Sequence, residues 1–101
     1  VARVIEFRPA EEVPESLTLR AGDLLMVWAT GGRIRAGTDS LDLLGPFLIG
    51  VLGNDGQVHV PEGPPSMVAL LARRPGRAEV QFALGHPWPA IRWTAMTFVV
   101  E

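Results

Sequence analysis

Few residues in the chain have the type and spacing to do chemistry. Gly85-His86-Pro87-Trp88-Pro89 sets a histidine and a tryptophan among prolines. Each proline fixes its own φ and biases the preceding residue toward an extended conformation, so Trp88 rides on a stiff segment with little entropy left to lose. Such a tryptophan suits an anchor in a partner's pocket, braced by Pro87, with His86 as a polar or pH-sensitive neighbour. The other reading folds Trp88 back as a lid over the end of the domain, ring dry and indole N–H on a carbonyl. Thr30–Gly37 is the second candidate, with three glycines and two arginines around Ile34. It reads as a mobile cationic loop in which backbone amides, Arg33 and Arg35 can hold an anion or a partner's carboxylate. Its simpler reading is a solvated connection.

Catalysis finds little to work with. All nine basic residues are arginine, and there is no lysine or cysteine. That removes the Schiff base, the amine base, the thiol nucleophile, the disulfide and the thiolate metal site. His59 and His86 stand in unrelated segments without metal-ligand spacing, so neither a metal nor another cofactor is expected. Ser16, Ser40 and Ser66 lack a nucleophile elbow, and Asp39 with Asp42 reads better as a solvated turn than as an acid–base pair. The chain is therefore expected not to be an enzyme. A net charge of −2 argues against a nucleic-acid surface, and the Arg73, Arg74, Arg77 cluster reads as a solvated hairpin.

These residues must be positioned by short strands. The chain has 101 residues, 48% of them hydrophobic, with 11 glycines and 9 prolines scattered along it, which fits one domain spanning residues 1–101 and excludes a helical bundle. Arg77–Leu84 alternates with Ala78, Val80, Phe82 and Leu84 on one side, and Thr94–Glu101 does so with Met96, Phe98 and Val100 inward. Met67–Ala72 puts Val68, Leu70 and Ala72 on one face before the Pro75-Gly76 turn. Arg3–Phe7 reads as an edge strand. Leu24–Ala29 is apolar on both faces and should be central, with Leu24, Met26 and Trp28 facing the core beside Leu17 and Leu19. Asn54-Asp55-Gly56 signals a hairpin joining Phe47–Leu52 to Gln57–Val60. In Thr38–Leu44, Thr38 or Asp39 could cap one short helical turn before Gly45-Pro46. No apolar run approaches the roughly 20 residues of a membrane span.

Phe47–Leu52 is also apolar on both faces, so something must cover it. A neighbouring loop or the 38–44 segment is the expected cover, and a homodimer is the other solution. Seven or eight short strands in this length predict an all-β, immunoglobulin-like antiparallel β-sandwich. The chain starts at Val1 without a leader pattern, as a processed or excised product would. Lack of cysteine leaves the compartment open, and a secreted or periplasmic setting is favoured over the cytoplasm.

Two stretches resemble the chagasin-like family of cysteine-peptidase inhibitors, which are single immunoglobulin-like sandwiches of about this length. They are Leu17-Thr-Leu-Arg-Ala-Gly-Asp-Leu-Leu-Met-Val27 and the hairpin Met67–Leu84, which also resembles bacterial immunoglobulin-like adhesion domains. His86-Pro87-Trp88 falls where the family has an Arg-Pro-aromatic loop. The family's Asn-Pro-Thr-Thr-Gly-aromatic and Gly-x-Gly-Gly loops are replaced here by Thr30–Gly37 and Pro61–Ser66. The resemblance implies a non-catalytic protein-binding module whose loops at one end enter a papain-like cysteine peptidase. His86, Pro87, Trp88, Arg33, Ile34 and Arg35 are its candidate contacts. The competing expectation is a structural, self-associating immunoglobulin-like domain of a larger secreted or surface protein.

Overall fold

A computed structural model describes residues 1–9, 13–85 and 91–101. Ten strands are present: β1 (Val4–Phe7), β2 (Ser16–Leu19), β3 (Leu24–Val27), β4 (Gly31–Ala36), β5 (Leu41–Phe47), β6 (Val51–Leu52), β7 (Val58–His59), β8 (Met67–Ala72), β9 (Gly76–Leu84) and β10 (Arg92–Val100). Two four-stranded sheets, ordered β1-β3-β8-β5 and β2-β10-β9-β4, make a β-sandwich, and β6 with β7 forms a separate hairpin. The structure is all-β, with no helix among the described residues.

β9 and β10 pair antiparallel along their whole length. Their alternation sends Val80, Phe82, Met96, Phe98 and Val100 into the core, where each is at most 2% exposed. Phe82 and Phe98 meet edge to face, centroids 6.2 Å apart, the arrangement their quadrupoles favour. Leu25, Val27, Val68 and Leu70 close the core from the other sheet.

Pairing is not wholly antiparallel. β1 runs parallel to β3, and β2 runs parallel to β10. The chain crosses from the first sheet to the second between β1 and β2 and returns for β3, so β3 re-enters beside β1 in the same direction. A direct hairpin could not make that pairing.

Three expectations are corrected. In β3 the inward residues are Leu25 and Val27, continued by Ala29, while Leu24, Met26 and Trp28 are only half buried on the other face. With both faces apolar the alternation carries no phase, and a one-residue slip exchanges the faces. Buried Asp23, of the same parity as Leu25, fixes it. The 38–44 segment is a turn followed by β5, not a helical turn, with Leu41 opposite Ala72 and Leu43 opposite Leu70. Pairing with β8 supplies a ladder that one helical turn, costly to nucleate, cannot match. Among the described residues nothing covers Phe47–Leu52: Val51 and Leu52 on the short β6–β7 arm are 65% and 70% exposed. The Asn54-Asp55-Gly56 hairpin does form, with Gly56 N–H donating to the Gly53 carbonyl and Asp55 Oδ1 accepting from Gln57 N–H. His59 is exposed beside it, 3.2 Å from the Asp55 carboxylate.

Candidate functional site: a groove at the loop end

One end of the sandwich carries a groove. Past β3, residues 28–30 cross toward the second sheet, where Thr30 donates from both N–H and Oγ1 to the Ala83 carbonyl at 2.9 and 3.0 Å. The segment returning from the β6–β7 arm passes Pro64 and Pro65, and Ser66 N–H is fastened to the Phe47 carbonyl. β9 ends at Leu84, and Gly85 turns away with φ +92°. Trp28, Thr30, Pro64, Pro65, Ser66, Leu84 and their neighbours line an open depression of about 290 Å³.

Trp28 is the fixed wall. Its indole N–H donates to Glu6 Oε1 at 2.7 Å, and the Arg8 guanidinium lies 4.4 Å over its ring. Arg8 also donates to the same Glu6 oxygen at 3.0 Å. The bond from Trp28, then that from Arg8, holds the Glu6 carboxyl below its ordinary range. An aromatic face, two prolines and a leucine make the groove fit for an apolar side chain, with Thr30 and Ser66 as the polar points. Among the described residues no group of three or more histidine, aspartate or glutamate side chains is placed to hold a metal.

The sequence candidates are placed unevenly. His86, Pro87 and Trp88 lie outside the described residues, immediately after the Gly85 that lines the groove. Arg33, Ile34 and Arg35 are not in a mobile loop. They belong to β4, where Arg33 faces Gln81 and Ile34 faces Val80 across β9. The glycines there are strand residues: Gly31 and Gly32 pair with Ala83 and Phe82 of β9, and a Cβ on Gly32 would make only ordinary contacts with the Gln81 carbonyl and the Leu43 and Phe82 side chains. Ile34 packs half buried against the core, while Arg33 and Arg35 stay exposed.

Two features escaped the sequence. The alternation of β3 predicts Trp28 in the core, and the structure makes it the groove wall. Trp93, 49% exposed, carries the Arg33 guanidinium 4.5 Å over its ring. The signal for Trp93 is the outward alternation of Thr97 and Ala95, which reaches it when continued back by two residues.

No protein-family model and no curated protein matches the chain in sequence. In three dimensions it is similar to the crystal structure of EhICP2, the cysteine protease inhibitor from Entamoeba histolytica, with a TM-score of 0.57 over 99% of this chain and 97% of that one. The likeness is one of fold. Sequence identity with EhICP2 is 14%. The solution structure of amebosin is similar too, at a TM-score of 0.53 and 10% identity, covering 100% of this chain and 99% of that one. This chain therefore shares the sandwich of EhICP2 from end to end, while the Trp28 wall and the Pro64-Pro65 rim are read from its own residues.

Proposed function

We propose that this chain is a non-catalytic protein-binding module that inhibits papain-type cysteine peptidases through the loop end of the sandwich. The observation that carries the reading is the end-to-end likeness to the inhibitor EhICP2. The groove supports it, because it is lined by Thr30 and by Pro64, Pro65 and Ser66, from the two stretches that stand in place of the family's other loops, and by Gly85, which precedes His86 in the chain. Trp88 on its proline-braced segment is the apolar anchor, and His86 takes the place that the chagasin-like pattern gives to arginine. The pinned Trp28 and the two rim prolines are ordered before the partner arrives, which lowers the entropy lost on docking.

Titration of the chain into papain tests this. The wild type is expected to inhibit, and Trp88→Ala to weaken inhibition by about tenfold or more, as removal of a tryptophan hot spot does. Absence of inhibition by the wild type at concentrations on the order of tens of micromolar would end the proposal, since that corresponds to less than about 7 kcal/mol of binding.

The β6–β7 arm favours a second reading, self-association. Val51, Leu52, Val58 and Val60 are each at least 49% exposed on it. Sedimentation at micromolar concentration then shows a dimer that Leu52→Asp dissolves. A monomer at that concentration removes this reading.

A further inference from the structure

The arginines are not distributed like the rest of the charge. Arg3, Arg8 and Arg73 are paired with Asp23, Glu6 and Asp42. Arg33, Arg35 and Arg77, all exposed on β4 and β9, have no ion-pair partner among the described residues. In the three adjacent strands β4, β9 and β10 the single acidic residue is Glu79, although acidic residues outnumber basic ones in the whole chain, 11 to 9. A local excess of positive charge in a net-negative protein is a field aimed at something acidic.

Arg33 is built into this face. Its Nε donates to Gln81 Oε1 at 2.8 Å, and its guanidinium rests on the Trp93 ring. Gln81 stands directly across from Arg33, and Trp93 is held opposite Ala83, one position further along the same face. The amide and the ring fix the guanidinium plane, while the two terminal nitrogens meet no partner among the described residues. A planar fork held in advance, with its outer edge open, is the geometry that takes a carboxylate through two parallel hydrogen bonds. Exposed Trp93 beside it adds the apolar contact that a protein partner uses.

We propose that the outer face of β4, β9 and β10 docks a carboxylate-rich protein segment, with Arg33 gripping a carboxylate and Trp93 covering the adjoining apolar atoms. Its Trp93 end adjoins the groove, since Trp93 stands opposite the Ala83 to which Thr30 bonds, but the carboxylate grip lies on the outer face of the sheet and is read without a peptidase. A protein is favoured over an acidic polysaccharide because the Arg33 guanidinium already occupies a face of the Trp93 ring on which a sugar would stack.

The test is fluorescence anisotropy of a labelled poly-L-glutamate peptide titrated with the protein at low ionic strength, with polygalacturonate as the competing polysaccharide. Poly-L-glutamate is expected to bind, and Arg33→Gln to weaken it about tenfold. Arg33→Lys, which keeps the charge but loses the fork and the stack, should recover little, and Arg74→Gln, in the turn before β9, should change little. Three results would overturn the proposal: no binding of poly-L-glutamate, equal losses for Arg33→Gln and Arg74→Gln, or full recovery by Arg33→Lys. Tighter binding of polygalacturonate would overturn it in favour of a polysaccharide. Circular dichroism of each variant shows that the fold is retained.

Discussion

Asp23→Asn lowers the thermal midpoint at neutral pH far more than a substitution at a surface pair such as Asp42→Asn. Asp23 is 1% exposed and closes the turn between β2 and β3. Its carboxylate accepts from Arg3 Nε at 3.1 Å, from Arg3 Nη2 at 2.5 Å and from Arg20 N–H at 2.8 Å. Its carbonyl accepts from Ala72 N–H, and the neighbouring Leu24 N–H donates to the Arg3 carbonyl. The side chain therefore ties the start of β1 to the β2–β3 turn, and the backbone of the same residue adds the end of β8. Removing one member of such a set leaves buried donors unsatisfied, which is the expensive outcome. Arg73 and Asp42 are both more than a third exposed, and water replaces what that pair loses.

The pH dependence has a definite sign. The bonds from Arg3, then from Arg20, outweigh burial and hold the Asp23 carboxyl far below the usual carboxylate range. A carboxyl depressed in the folded state stabilises that state fully above its unfolded pKa, about 3.9, and loses the contribution as pH falls through the folded value. Melting curves of the wild type should therefore drop below about pH 4. The Asn variant should lose that part of the slope, so the two approach each other in acid. Parallel curves from pH 7 to 2 would remove the carboxylate from this role.

Gly37→Ala destabilises the fold by about 3 kcal/mol, where Gly56→Ala costs about 1–2 kcal/mol. Both glycines hold left-handed backbone, at φ +82° and +77°. They differ in what surrounds them. A Cβ on Gly56 would meet nothing within 4 Å, so its substitution reports the backbone strain alone. A Cβ on Gly37 would be driven against the Arg77 carbonyl and would lie 2.6 Å from Ala78 Cα, so β9 or the β4–β5 corner must move. Against a total stability of about 5–15 kcal/mol, that increment is visible as an earlier denaturant midpoint. Equal midpoints for the two variants would mean that the corner yields freely.

The same glycine shows where the sequence misled. Thr30–Gly37 looks mobile because glycine is permissive, yet here Gly31 and Gly32 are strand residues paired with β9 and Gly37 lets the corner pass over Arg77. Composition reports conformational freedom, and only packing shows whether that freedom is used for motion or for close approach. Phe47–Leu52 failed in the opposite direction, since its hydrophobicity implied burial that the described residues do not provide.

By itself the sequence determined the all-β class, the inward faces of β8, β9 and β10, and the hairpin at Asn54-Asp55-Gly56. Alternation and turn chemistry are local, and they survive folding wherever one face is clearly apolar. Tertiary structure decided the phase of β3, the parallel edge pairs and the gathering of Trp28, Pro64, Pro65 and Leu84 around one groove. It also laid Arg33 on Trp93, 60 residues further along the chain. Each of these depends on which strands lie side by side, a choice made by the summed burial of two sheets rather than by any segment's own pattern.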